Sequence, residues 1–401
     1  MWLWIVLACM KAPQLPTYTH VVNRIEQTYP YSYLPEDFVK AATALEVSAK
    51  KAKTAEELRP VVSELIGYLG LSHYAIFPSA FERQASQTYF RAGTLGMQLR
   101  WIDDGFYVVG KEPSHPQPEL IQLGWNLVSV DGQLLPQSGD DLRQVMRAQA
   151  QLICEYGEDV RIELKSSDDF IETQLLPCVG LEGDRFSFGN VPTQVADFHS
   201  EVLEDNIHYI QFHHFLTPIR EPFAKAIEKA IEAEARGLII DLRGNTGGMI
   251  AVGQGLMGYL LSTPDLLFAQ QISQESEFRY IIYPRPPEQV FKGTVVVLID
   301  EMSVSTAEIL ARAVQLSERG IIIGAPSAGR VLSSMVEGLP NGDRLQLVIA
   351  DLESMDKQSL EGVGVQPDIL VPYDIKILRQ QKDAALQAAQ THILNPSGAT
   401  P

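Results

Sequence analysis

The stretch GTVVVLIDEMSVSTAEILARAV, residues 293–314, runs from an unbroken apolar segment through two acids into a serine-rich turn. Val295 to Ile299 are apolar without alternation, the pattern of a strand covered on both faces. From Thr306 to about Ser317 the spacing becomes helical. Ser305 stands before that helix with Glu308 three residues later, a capping box, and on this spacing Ser305 is simply an N-cap. The same geometry has a second use. A serine on a sharp strand-to-helix turn presents its hydroxyl at the sheet edge, where the helix N-terminus favours negative charge and the next N–H can bind an oxyanion.

The alternation continues outward on both sides. Before it come IHYIQFHHF (207–215), a helix over Glu221 to Ala235, GLIIDLR (237–243) and a helix near Gly253 to Leu261; after it comes GIIIG (320–324). Buried strands separated by helices predict an α/β core over residues 185–385. No repeat is visible, and residues 386–401 read as a disordered tail. Two glycine-bearing loops belong to this core. DLRGNTGG (241–248) follows a strand, and its paired glycines let backbone N–H groups approach a ligand, or simply close a turn in which Asp241 and Arg243 pair. LEGVGVQPDILV (360–371) reads as a turn before an edge strand.

Residues 92–180 have another texture. LGMQLRW, GFYVVGKE and GWNLVSVDGQLL read as strands, DDLRQVMRAQAQ as a helix, and DVRIELKSS and ETQLLPCV as closing strands. Gly96-Met97 at a strand start and LGWNLVSVDGQ (123–133) resemble a PDZ domain, a module that captures a peptide by adding it as a strand. Residues 18–91 are predicted to be mainly helical. In TAEELRPVVSELIGYLG, Thr54 and Glu57 have capping-box spacing, while Leu58, Val62, Leu65, Ile66 and Leu69 share a face. That helix ends at Gly70, directly before SHYAIFP, in which Tyr74 to Phe77 read as a strand. A seryl-histidyl pair at such a joint is ordinarily a turn.

Composition bounds the chemistry. The chain has 401 residues, 45% of them hydrophobic and 20% charged, which suits two or three soluble domains. A net charge of -18 argues against nucleic acid as a partner, since phosphate contacts need concentrated Lys and Arg. Residues 1–17 open with MWLWIVLAC, too short to span a bilayer and lacking a basic flank. VLAC resembles the lipidation box of bacterial lipoproteins, which implies an envelope location and membrane attachment through Cys9. Cys154 and Cys178 specify neither a disulfide framework nor a metal site, but pair if the chain is exported. His213 and His214, adjacent in a strand-like run, are poorly spaced for a metal and read as structural or cleft-lining.

Taken in order, DLRGNTGG, SVSTAEI, GIIIGAPSAGR and EGVGVQPD after a PDZ-like region resemble the tail-specific or C-terminal processing proteases, the S41 clan of serine peptidases. The resemblance covers roughly residues 60 to 375. It implies a crotonase-like or ClpP-like spiral of ββα units, polypeptide substrates, no cofactor or metal, and a possible homo-oligomer. It implies further that Ser305 is the nucleophile and that Thr306 N–H with a glycine N–H of Gly247-Gly248 forms the oxyanion hole.

One position departs from the pattern. Where the processing proteases carry a lysine base, this chain reads Ser327-Ala328-Gly329-Arg330, and arginine cannot be a neutral base near pH 7. The tricorn-like branch of the clan uses instead a serine-histidine pair after an N-terminal helix and a glutamate before G-V-x-P-D. Ser72, His73 and Glu361 match those places. Their implied roles are general base for His73, with Ser72 holding the other imidazole nitrogen and Glu361 holding Ser72. Arg330 is left either to bind a substrate carboxylate or to pair with an acid. Two other classes stay open: a PDZ-bearing peptide-binding protein that kept this fold without the chemistry, and an acyl-CoA-handling relative.

Overall fold

A computed structural model describes residues 14–78, 92–112, 115, 117–139, 141–165, 170–188 and 191–395. Cys9 and the apolar run before it therefore lie outside the described residues. Among those described, no helix is long and apolar enough to cross a membrane.

The centre is a six-stranded sheet in the order His199–Leu203, Ile207–Gln211, Gly237–Asp241, Thr294–Ile299, Ile321–Gly324, Ile369–Leu370. Its first pair is antiparallel and the rest are parallel. Alternate residues of the central strand feed opposite faces. Val295, Val297 and Ile299 join the larger core with helices Arg220–Glu232 and Thr306–Leu316, while Val296 and Leu298 face Ala385, Ala389 and Ile393. These last three residues correct an expectation: residues 384–394 are a docked helix, not tail. A parallel sheet needs both faces covered, and this helix covers the second. Gly237 makes room for it, since a Cβ there would stand 2.5 Å from Ile393 Cγ2.

Three helices, Leu15–Thr28, Glu36–Lys51 and Ala55–Gly67, precede the sheet. Residues 15–17, expected in the leader, are instead the first turn of a helix in which Thr17 is buried. Thr54 accepts from Glu57 N–H at 3.2 Å, while the Glu57 carboxylate reaches one residue further, to Lys53 N–H. The face Leu58, Val62, Leu65 and Leu69 buries against Leu345 and Leu347 of strand Arg344–Ser354. Each such side chain contributes about 1.5–3 kcal/mol by leaving water. The chain then enters strand Ala75–Phe77, which pairs antiparallel with Arg344–Gln346. This pairing fixes where Ser72 and His73 lie.

Between these parts sits a β-rich body built on strands Met97–Ile102, Gly105–Lys111, Asn126–Val130, Asp159–Lys165 and Ile171–Pro177, with helix Leu142–Ala150 packed on it. Cys154 and Cys178 form a disulfide across this body, closing a separation of 24 residues. A loop of that length is worth about 3 kcal/mol by restricting the unfolded chain. Reduction, or Cys154→Ser, is accordingly expected to lower the melting temperature of this part. An unchanged melting curve under full reduction would contradict it.

Candidate active site

Ser305 occupies the turn that the sequence marked, directly after strand Thr294–Ile299 and at the N-cap of helix Thr306–Leu316. Its backbone has φ 60° and ψ -117°, a left-handed conformation that costs a non-glycine residue about 1–3 kcal/mol. Neighbours hold it there. Ser305 N–H donates to Arg330 O at 3.1 Å and to Glu308 Oε2 at 2.9 Å. Glu308 N–H donates to the Ser305 carbonyl oxygen at 2.9 Å.

Glu308 does more than cap. Its buried carboxylate also accepts from Ser327 Oγ, Gly329 N–H and Arg330 N–H, at 2.7, 2.7 and 3.0 Å. It thereby binds the whole SAGR loop to the nucleophile turn. Burial pushes its pKa up to about 7, against the pull of these hydrogen bonds. The capping-box spacing was the visible signal of Glu308, but it pointed only to the helix.

The glycine loop approaches Ser305 from the other side. A Cβ at Gly247, where φ is +87°, would lie 2.7 Å from Ser305 Cβ and 2.8 Å from the Val304 carbonyl oxygen. Gly247 N–H is spent on Asn245 Oδ1 at 2.9 Å. Among the described residues no acceptor is bonded to Gly248 N–H or to Thr306 N–H. Of the two candidate glycines, Gly248 thus has the available N–H, and Gly247 supplies the clearance.

Both loops hang on Asp300. Its Oδ1 accepts from Gly244 N–H and Met302 N–H, each at 3.0 Å, and its Oδ2 from Tyr373 at 2.9 Å. The Arg100 guanidinium, buried completely, donates to the same Oδ2 through Nε at 2.8 Å and Nη2 at 2.5 Å. Burial works against the charge on Asp300, but Arg100 holds its pKa below the usual carboxylate range. The neighbouring Glu301, partly desolvated and beside the Asp300 charge, is raised to about 7. Asp241 and Arg243 pair as the plain turn reading expects, and Arg243 is shared with Asp383 at 2.7 Å.

Ser72, His73 and Glu361 come together although 289 residues separate the serine from the glutamate. Ser72 Oγ lies 2.6 Å from His73 Nδ1 and 2.8 Å from Glu361 Oε2. Glu361 accepts also from Ser72 N–H at 2.7 Å and Val331 N–H at 2.8 Å. A hydroxyl has one proton, and a carboxylate with three donors can only accept. The Ser72 proton therefore points to Glu361, which assigns the imidazole proton to Nδ1 and leaves the Nε2 lone pair free. Burial, and secondarily the Arg330 charge, lowers the His73 pKa to about 4. The segment Gly329–Val331 joins the two halves: Arg330 O receives Ser305 N–H, and Val331 N–H binds Glu361. No hydrogen bond joins Ser305 Oγ to His73 here.

The remaining candidates fall elsewhere. Arg330 pairs with Asp141 at 3.0 Å, the acid-pairing outcome of its two readings. Gly96 N–H is taken by Thr94 Oγ1, its carbonyl by Glu112 N–H, and the Met97 side chain is fully buried, so neither offers a free surface to a substrate. His213 is structural: Nδ1 lies 2.6 Å from Asp197 Oδ2, and Nε2 meets the Gln98 amide at 2.9 Å. Burial opposes its charge, but Asp197 and Glu112 raise its pKa to about 10. Among the described residues no group of three or more His, Cys, Asp or Glu could hold a metal.

Residues 206–371 match peptidase family S41. A carboxyl-terminal-processing protease of Picosynechococcus is 22% identical over 65% of this chain and 62% of that protein. Processing protease CtpA of Bacillus subtilis is 25% identical over 48% of this chain and 42% of its own length. The chain thus spans less than two thirds of these relatives. Among solved structures, the photosystem II D1 C-terminal processing protease superposes with a TM-score of 0.62 at 16% identity, covering 93% of this chain and 99% of that one. The tricorn protease gives 0.52 at 16% identity, covering 96% of this chain and 37% of that one. Residues 206–371 of this chain are thus similar to peptidase family S41.

Proposed function

We propose that the chain is a serine endopeptidase of the tricorn-like type, acting on polypeptides through an acyl-enzyme on Ser305. The observation that carries the proposal is the assigned imidazole tautomer: Glu361 and Ser72 leave His73 Nε2 as a free base, joined through Gly329–Val331 to a strained serine at a helix start. In this reading Ser305 Oγ attacks the scissile carbonyl while its proton passes to His73 Nε2. The carbonyl oxygen becomes an oxyanion that accepts from Gly248 N–H and Thr306 N–H. Collapse breaks the C–N bond as His73 returns the proton to the leaving amine, and water then repeats the sequence to release the acid. Glu361 and Ser72 hold the imidazolium in place meanwhile.

The fold assignment that accompanies this function has residues 185–394 as a crotonase-like core, its last helix included, 18–91 as the helical segment delivering His73, and 92–180 as a PDZ-like peptide-binding domain. We place the chain in the cell envelope, since a formed Cys154–Cys178 disulfide belongs to an oxidising compartment. Lipid attachment through Cys9 and self-association belong to the same proposal.

A pH profile of kcat/KM on an unfolded polypeptide tests the base. His73 must be neutral to accept the Ser305 proton, and its pKa is lowered to about 4. Activity is therefore expected to persist through pH 5 and to fall as pH drops through about 4. Arg330→Gln removes the nearby cation, so protonation becomes easier and the acid limb moves up. An acid limb at the ordinary imidazole pKa, about 6.5, and indifferent to Arg330 would rule out this desolvated base.

A further inference from the structure

Helix Leu142–Ala150 lies along strand Met97–Ile102, the edge of the β-rich sheet opposite Ile171–Pro177. In that strand Arg100 is paired with Tyr107 of the neighbouring strand, and Leu99 stands opposite Val108. The N–H and carbonyl of Val108 are engaged with Trp125 and Gly124 on its far side. The polar groups of Leu99 accordingly face the open edge, where a peptide added as a further strand would meet them. They are not open. The Gln149 side chain accepts from Leu99 N–H through Oε1 at 2.9 Å and donates from Nε2 to Met97 O at 2.8 Å. Arg100 Nη1 donates to Leu99 O at 2.8 Å.

A primary amide that bonds one N–H and the carbonyl two residues before it reproduces what the N–H and carbonyl of one residue in an incoming parallel strand would do. We infer that Gln149 is an internal competitor that occupies the peptide-binding edge, and that an extended peptide binds by displacing its side chain. The occupant is recognised through its backbone, so its sequence matters less than its ability to lie flat as a strand. Leu99 O has a second lone pair, and so a peptide N–H can join Arg100 there without displacing it. This inference rests on reading residues 92–180 as a peptide-binding domain; it does not require that the chain hydrolyse anything.

The test uses the full chain carrying Ser305→Ala, so that binding is read without cleavage. The probe is a short fluorescent peptide of alternating valine and threonine, followed by anisotropy. Two hydrogen bonds must be surrendered when Gln149 leaves, and at the usual net value of each the added Gln149→Ala is expected to tighten binding about thirtyfold. Gln149→Glu keeps an acceptor for Leu99 but sets an oxygen against Met97 O, and is expected to fall between. Amide exchange at Leu99 should accelerate in the Gln149→Ala protein and slow again when peptide is added, which also shows that the helix and sheet are intact. Equal or weaker binding by Gln149→Ala, or bound peptide with no protection of Leu99, would overturn the inference. Neither result would bear on Ser305 and His73.

Discussion

Ser305→Ala is expected to lower peptide-bond turnover by about a million-fold, and His73→Ala by a comparable factor. The two act on one event. Without the hydroxyl there is no nucleophile, and without His73 Nε2 its proton has no acceptor, because the nearby Arg330 is held against Asp141 and an arginine is no neutral base near pH 7. For the same reason the double variant should be little worse than either single one. Residual turnover would then come from substrate binding and the two free N–H groups. Turnover near the wild-type rate in either variant, measured on protein of unchanged circular dichroism, would remove the mechanism.

Gly247→Ala carries the second large effect. Its φ of +87° is unfavourable for alanine, and the new methyl carbon would have to share space with Ser305 Cβ at 2.7 Å and a backbone oxygen at 2.8 Å. Neither neighbour is the end of a flexible chain, so the loop must move. Moving it displaces Gly248 N–H from the place proposed for the oxyanion. Loss of one such donor costs about a hundred- to a thousand-fold in kcat. The expected result is a fall of that order with KM much less affected. An equal loss confined to KM would mean that this loop binds substrate without stabilising the transition state.

What the sequence made legible was mostly local. The unalternated run Val295–Ile299, the capping box at Ser305 and the paired glycines each declare themselves within a few residues, and each is where it was expected. The grouping of Ser72, His73 and Glu361 came from resemblance, since nothing in SHYAIFP points to a glutamate 289 residues away. Asp300 and Arg100 gave no signal at all: their pairing bridges 200 residues and depends on how the β-rich body seats against the core. Gln149 was hidden for a related reason, as one glutamine among three in RQVMRAQAQ. The helix at 384–394 gives a weak signal because two of the three residues on its buried face, Ala385 and Ala389, are small, with Ile393 the one large apolar side chain. Small residues are what a helix needs to lie close on a sheet already filled by Val296 and Leu298.

The most direct measurement is the rate of covalent labelling by a fluorophosphonate, with the modified residue located by peptide mapping, in wild type and in His73→Ala. The account predicts rapid modification of Ser305 in the wild type and its loss in His73→Ala, since the probe reports a serine whose proton has an acceptor. Labelling of Ser305 that survives the loss of His73, or no labelling of folded wild-type protein, would contradict it.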